Sequence, residues 1–167
     1  MTPPKPITII SGAQTGVDRA ALDAALDLGF PCKGWCPTGR LDEAGIIPER
    51  YPVKELKKGG FLMRTIQNLS DADGTLIFYF GELEGGTQNT LLHCIKQKRP
   101  YSLIHASEIK PERAMELAFQ FVTSRKLQTL NVAGPRASKC PEGYDYAYQV
   151  ISGLLRRLDE SAGNASR

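Results

Sequence analysis

The chain has 167 residues, 21 of them basic and 18 acidic, with a net charge of +3 and a pI near 8.7. This length suits one domain with a sizeable core, and 41% hydrophobic and 8% aromatic residues exclude a disordered chain. The mild charge and the lack of any long Lys/Arg block argue against nucleic acid. No apolar run reaches the length of a membrane span and residues 1–6 hold no apolar signal core, so the expected compartment is the cytoplasm.

In chain order, the β-branched run Ile7-Thr-Ile-Ile-Ser11 predicts a strand that opens into Gly12-Ala-Gln-Thr-Gly16. Val17, Ala20, Ala21, Ala24 and Leu28 then recur at helical spacing. A strand, Gly loop and helix in this order aim free amides at an anion; an ordinary βα turn is the alternative. Residues 32–36 read as a second, short strand. Residues 37–60 hold Pro37, Gly39, Gly45, Pro48, Pro52, Gly59 and Gly60 without clear periodicity, so they read as a binding loop or lid, or else as a solvated excursion.

Residues 61–69 predict a helix that puts Arg64 and Asn68 one turn apart on one face. Gly74-Thr-Leu-Ile-Phe-Tyr-Phe80 is a buried strand, followed by Gly85, Gly86 and Thr87 before another helical run, with Thr87 at or near its N-cap. Residues 101–105 predict a strand, and residues 108–124 an amphipathic helix with Pro111 near its start. Residues 129–133 predict a last strand, entering Gly134-Pro-Arg136 and then a helix over residues 144–158.

Five strands alternating with helices predict a single-domain α/β fold, a three-layer sandwich around a mostly parallel sheet. Residues 1–6 are expected as a flexible N-terminus, 7–158 as the ligand-binding domain and 159–167 as a disordered tail. Three strand ends open into Gly-containing loops, and in an open parallel sheet such loops converge on one crevice. The candidate binding residues are therefore Gly12, Ala13, Gln14, Thr15 and Gly16, then Gly85, Gly86 and Thr87, then Gly134 and Arg136, with Arg40 and Arg64 as further cations for the same pocket. Asp18 has a simpler reading, as an acid that stabilises the first turn of its helix. Cys32, Cys36, Cys94 and Cys140 form no C-x-x-C pair and only His93 and His105 accompany them, so no dedicated metal site is expected. Walker, G-x-G-x-x-G and G-x-S-x-G patterns are all missing, which leaves the catalytic residues unassigned.

Ile10-Ser-Gly-Ala-Gln-Thr-Gly-Val-Asp-Arg-Ala-Ala-Leu22, Gly34-Trp-Cys-Pro-Thr-Gly-Arg40, Arg64-Thr65 with Asn68, Asp73-Gly-Thr-Leu-Ile-Phe78, Gly85-Gly-Thr87 and Leu130-Asn-Val-Ala-Gly-Pro-Arg136 together resemble the putative molybdenum carrier protein family. That family is grouped with a circularly permuted branch of the lysine-decarboxylase-like (LOG) and DprA superfamily. The resemblance spans about residues 7 to 155. It implies a Rossmann-like domain, a homo-oligomer (dimer or tetramer), and molybdenum cofactor as bound cargo, or another phosphorylated pterin or nucleotide ligand.

Two departures stand out. Ala13 replaces an expected glycine, and Ala44 separates Asp42 and Glu43 from Gly45, leaving the role of that acidic pair open. Residues 85–93 also lack the glutamate that the superfamily's phosphoribohydrolases carry after their Gly-rich loop. A binding or carrier protein is accordingly the first reading, a hydrolase of a nucleotide or nucleotide-derived substrate the alternative, and a DprA-like nucleic-acid module the third.

Overall fold

The structure, a computed structural model, describes residues 5–165. Strand β1 (Thr8–Ile10) leads into helix α1 (Val17–Asp27), followed by β2 (Cys32–Lys33), β3 (Trp35–Cys36), β4 (Leu41–Asp42), β5 (Gly45–Ile46) and β6 (Lys54–Glu55). Next come α2 (Phe61–Asp71), β7 (Gly74–Tyr79), α3 (Gly85–Lys96), β8 (Tyr101–His105), α4 (Pro111–Ser124), β9 (Thr129–Ala133) and α5 (Gly143–Ala165). Five strands form the central sheet in the order β2-β1-β9-β7-β8, every pair parallel. Helices flank it, giving the α/β sandwich that the alternation predicts.

Period-two alternation assigns the faces of the sheet. Ile9, Leu76, Phe78, Ile104, Leu130 and Val132 join the main core with α1, α4 and α5. The apolar stripe of α1 that marked it as a helix supplies Val17, Ala20, Ala21 and Ala24 to that core. Each fully buried large side chain such as Phe78 contributes roughly 1.5–3 kcal/mol. Thr75 and Asn131 sit at the opposite register positions and are buried, the Asn131 amide donating to the Thr75 hydroxyl at 3.3 Å.

Three expectations need correction. Residues 32–36 are two strands in different sheets: β2 lies beside β1, whereas β3 pairs in parallel with β6. The chain leaves the central sheet at Gly34, where an added Cβ would lie 1.8 Å from the Ser11 carbonyl oxygen, so only glycine permits the close approach. Residues 37–60 are neither a free lid nor a solvated excursion, because Ile47, Tyr51 and Val53 bury a second small core with Ala13, Leu22 and Cys36. The Asp23 carboxylate ties this region to α1 and α5 by accepting from the hydroxyls of Tyr51 at 2.7 Å and Tyr144 at 2.6 Å. Lastly, α5 continues past Leu158 through residues 159–165, where Asp159, Glu160, Ser161 and Ala162 contain no proline to stop it. Residues 1–4 of the expected flexible N-terminus, and 166 and 167 of the expected tail, lie outside the described residues.

Candidate functional site

The carboxyl ends of β1, β9 and β7, with Ser107 beyond β8, surround one cavity of about 590 Å³ that α2 walls on one side. Of the residues expected from sequence, Gly12, Gln14, Arg64, Gly85, Gly86, Thr87, Gly134 and Arg136 line it. Ala13, Thr15 and Gly16 lie behind the lining, and Arg40 does not join them. The Arg40 guanidinium is used up in holding residues 47–53: Nε donates to the Ile47 carbonyl at 2.9 Å and Nη1 to Val53 at 2.9 Å. Its Nη2 donates to the carbonyls of Pro48 at 2.7 Å and Tyr51 at 2.8 Å.

The first loop is not the open anion cradle that its glycines suggest. Its amides are largely satisfied within the protein: Ala13 donates to the Ser11 hydroxyl at 3.2 Å, Thr15 to the Gln14 side-chain oxygen at 3.0 Å, and Val17 to the Pro135 carbonyl at 3.3 Å. The Gln14 amide serves the Asp18 carboxylate. Ala13 adopts a φ of 61° and buries its methyl in the second core, which gives that position a packing role no glycine could fill. Gly16, at φ 84°, lets the first loop press against the third; a Cβ there would sit 2.6 Å from the Pro135 carbonyl oxygen and 2.8 Å from the Ala137 nitrogen.

The second loop is where donors remain open. Helix α3 starts at Gly85 with Glu84 in the N-cap position and no side-chain cap, so Thr87 is inside the first turn instead of capping it. The first amide of this turn with a protein partner is that of Gln88, which bonds the Glu84 carbonyl at 3.1 Å. Among the described residues the amides of Gly85, Gly86 and Thr87 have none, and they bring the positive end of the helix dipole to the cavity. Lys139 reaches the same place: a Cβ on Gly85 would lie 3.4 Å from its Nζ. Sequence reasoning missed Lys139, five residues beyond the last Gly turn, because no motif marks it.

The third loop is locked to the β4–β5 turn by one carboxylate. Glu43 accepts from the Ser138 amide at 3.0 Å, from the Ser138 hydroxyl and from the Thr15 hydroxyl. It also lies 3.3 Å from Nε of Arg136. Burial alone would raise the Glu43 carboxyl, but the Ser138 and Thr15 hydroxyls, the Ser138 amide and Arg136 outweigh it and hold the group below the usual carboxylate range. Asp42, next to it, pairs with Arg19 at 2.5 Å. The acidic pair left open by the sequence therefore joins the 37–60 region to the first and third loops. Arg136 lines the cavity with its side chain 43% exposed.

The floor carries two buried charges. Asp18 is 9% and Arg64 is 7% exposed, and both line the cavity. Burial pushes the Asp18 carboxyl up to about 6, against the opposing pull of Arg64, the Gln14 amide and Arg19. Burial likewise lowers Arg64, with Asp18 opposing. Arg64 Nη1 donates to the Gly12 carbonyl at 3.0 Å and Nε to Phe61 at 3.3 Å. Asn68 lines the cavity too, but its amide is paired both ways with the Trp35 backbone at 2.8 and 2.9 Å. Sequence reasoning gave Asp18 only a first-turn role and missed it as a site residue; the signal that marks it is its place among the apolar residues Val17, Ala21, Leu22 and Ala25 of α1, where a surface charge does not sit. Apolar rings complete the walls at Phe61, Tyr79 and Phe80. Among the described residues no three His, Cys, Asp or Glu side chains gather to hold a metal ion.

Residues 9–155 match the circularly permutated YpsA SLOG family. The chain also matches the solved structure of a protein titled "putative molybdenum carrier protein" from Syntrophus aciditrophicus SB, with a TM-score of 0.87 and 41% sequence identity. That likeness covers 91% of this chain and 96% of the other. Among curated proteins none matches.

Proposed function

This chain belongs to the circularly permutated YpsA SLOG family, and from that premise we propose that it is a binding or carrier protein for a phosphorylated small molecule, the molybdenum cofactor or a related pterin or nucleotide. The observation that carries this reading is the uncapped start of α3, whose first three amides have no partner among the described residues and lie beside Lys139, opening into a cavity of about 590 Å³ that Arg136 also lines. A volume of this order suits a ligand of nucleotide size. The name of the Syntrophus relative makes the molybdenum cofactor the first cargo to test.

Native mass spectrometry of the freshly isolated protein, followed by release and identification of the bound molecule, is the direct test. A phosphorylated heterocycle at near-stoichiometric amount is the expected result; a protein that is empty and binds neither nucleotides nor pterin phosphates would sink the reading. Arg136→Ala should weaken the binding of such a ligand by about 1.5–3 kcal/mol, the range for hydrogen bonds to charged groups. Arg136→Lys should restore only part, since an ammonium cannot fork onto a phosphate. The melting temperature should move little, because a half-exposed pair with Glu43 contributes little to stability. Unchanged affinity in Arg136→Ala removes Arg136 from the site.

A hydrolase remains the second reading, favoured by one observation: Asp18 is a buried carboxyl, pushed up to about 6, on the floor of the cavity. Incubation with nucleoside monophosphates, assayed for free base, separates the two; binding without multiple turnover is the expected outcome. The protein is further read as a cytosolic homo-oligomer. Phe61, Leu62 and Met63 on α2, and Leu92 and Ile95 on the adjoining α3, are large apolar side chains left exposed, which supports self-association.

A further inference from the structure

Asp18 and Arg64 are both buried at the cavity floor, yet among the described residues they are not in ion-pair contact. Each keeps unused hydrogen-bonding capacity. Arg64 spends Nη1 on the Gly12 carbonyl and Nε on the Phe61 carbonyl, which leaves Nη2 without a partner among the described residues. Nη2 keeps some exposure to solvent, and Arg64 lines the cavity. The Asp18 carboxylate takes the Gln14 amide, and a carboxylate has acceptor positions to spare after one such bond. The floor therefore offers an acceptor and a donor in a cavity that the rings of Phe61, Tyr79 and Phe80 also line.

From this pattern we propose that Asp18 and Arg64 read the edge of a 2-amino-4-oxo ring, the edge shared by guanine and pterin. Such a ring presents a ring N–H and an amino group next to a carbonyl. The two donors meet the Asp18 carboxylate and the carbonyl meets Nη2 of Arg64, so the open positions on both side chains are filled. An adenine edge turns a ring-nitrogen lone pair toward the carboxylate and leaves a buried group unpaired, which a polar site penalises heavily. The flat ring lies against the aromatic wall.

The spacing fits a ligand that spans both ends of the cavity. Asp18 follows β1 and the open amides of α3 follow β7, with β9 between them, so the two ends are two strand spacings apart, on the order of 10 Å. The inference rests on the reading that phosphate is held at α3, and it names the part of the ligand at the other end.

Calorimetric titration of the wild-type protein and of Asp18→Asn with GMP, 6-hydroxymethylpterin phosphate, AMP and ribose 5-phosphate tests it. GMP or the pterin phosphate should bind wild type at least about tenfold tighter than AMP, as expected where a polar edge is read; whichever is preferred identifies the source of the edge. In Asp18→Asn, whose folding is checked by its melting curve, that preference should collapse to within about threefold. If ribose 5-phosphate binds but wild type does not favour either ring over AMP, or if Asp18→Asn keeps the preference, edge reading by this pair is overturned while phosphate binding stands. If none of the four binds, the phosphate reading falls as well.

Discussion

Replacing Asp18 with asparagine should stabilise the folded protein by about 2–3 kcal/mol above pH 6, and this gain should vanish in acid. Burial lifts the carboxyl from 3.8 to about 6, and the nearby Arg64, Gln14 amide and Arg19 only partly offset it. Below the unfolded value both states hold the proton and the site carries no penalty. Between about 4 and 6 the unfolded chain ionises first, so the fold loses stability as pH rises, and above 6 the loss is complete. Asparagine keeps the shape and still accepts the Gln14 amide, but it has no charge to desolvate. Urea denaturation of both proteins at about pH 3.5 and about pH 7.5 gives the comparison. An Asp18→Asn protein that is less stable than wild type at the higher pH would mean that Arg64 and Arg19 stabilise the ionised carboxylate after all. The expected gain, by contrast, marks Asp18 as a residue kept at the expense of stability, the usual signature of a site that must bind something.

The second large effect should come from Gly16→Ala. Gly16 stands at φ 84° and ψ −129°, a conformation that costs an L-residue of order 1–3 kcal/mol. The new methyl would also meet the backbone of the third loop, at 2.6 Å from the Pro135 oxygen and 2.8 Å from the Ala137 nitrogen, and no side chain can rotate away to make room. We expect a loss of about 3 kcal/mol or more. Binding should fall too, since the Val17–Pro135 and Ala137–Thr15 hydrogen bonds that hold Gly134 and Arg136 in register would be stretched or broken. Gly163→Ala, in open space on α5, is the control and should be neutral or slightly stabilising. Equal melting temperatures for the two variants would refute the close packing of the first and third loops.

Much of the architecture could be read from the chain. The β-branched run before Gly12 and the apolar run 74–80 have the composition of buried parallel strands, and the helices around Ala20, Ala114 and Ile151 have the correct period. What escaped the reading depends on contacts between distant residues. The break at Gly34 is imposed by the Ser11 carbonyl, and the order of residues 37–60 by the four carbonyls around Arg40, neither of which leaves a periodic trace. Of the site, the convergence of three loops was legible from their repeated grammar. The division of labour among them was not: whether a Gly loop offers its amides depends on side chains such as Ser11, Gln14 and Asp18, which here take up most of those of the first loop, while those at the start of α3 have no partner among the described residues.

The central position of β9 also bears on how the chain is made. Before residues 129–133 leave the ribosome, β1 can pair only with β2, and β7 only with β8, since β9 is the strand that joins the two halves. Two-stranded pieces of this kind are marginal in water, and each exposes an unpaired edge, with Ile9 and Ile10 on β1 and Leu76, Ile77 and Phe78 on β7. Productive folding is therefore delayed until β9 has been synthesised, and the open edges of β1 and β7 are the surfaces most prone to mispairing during that interval.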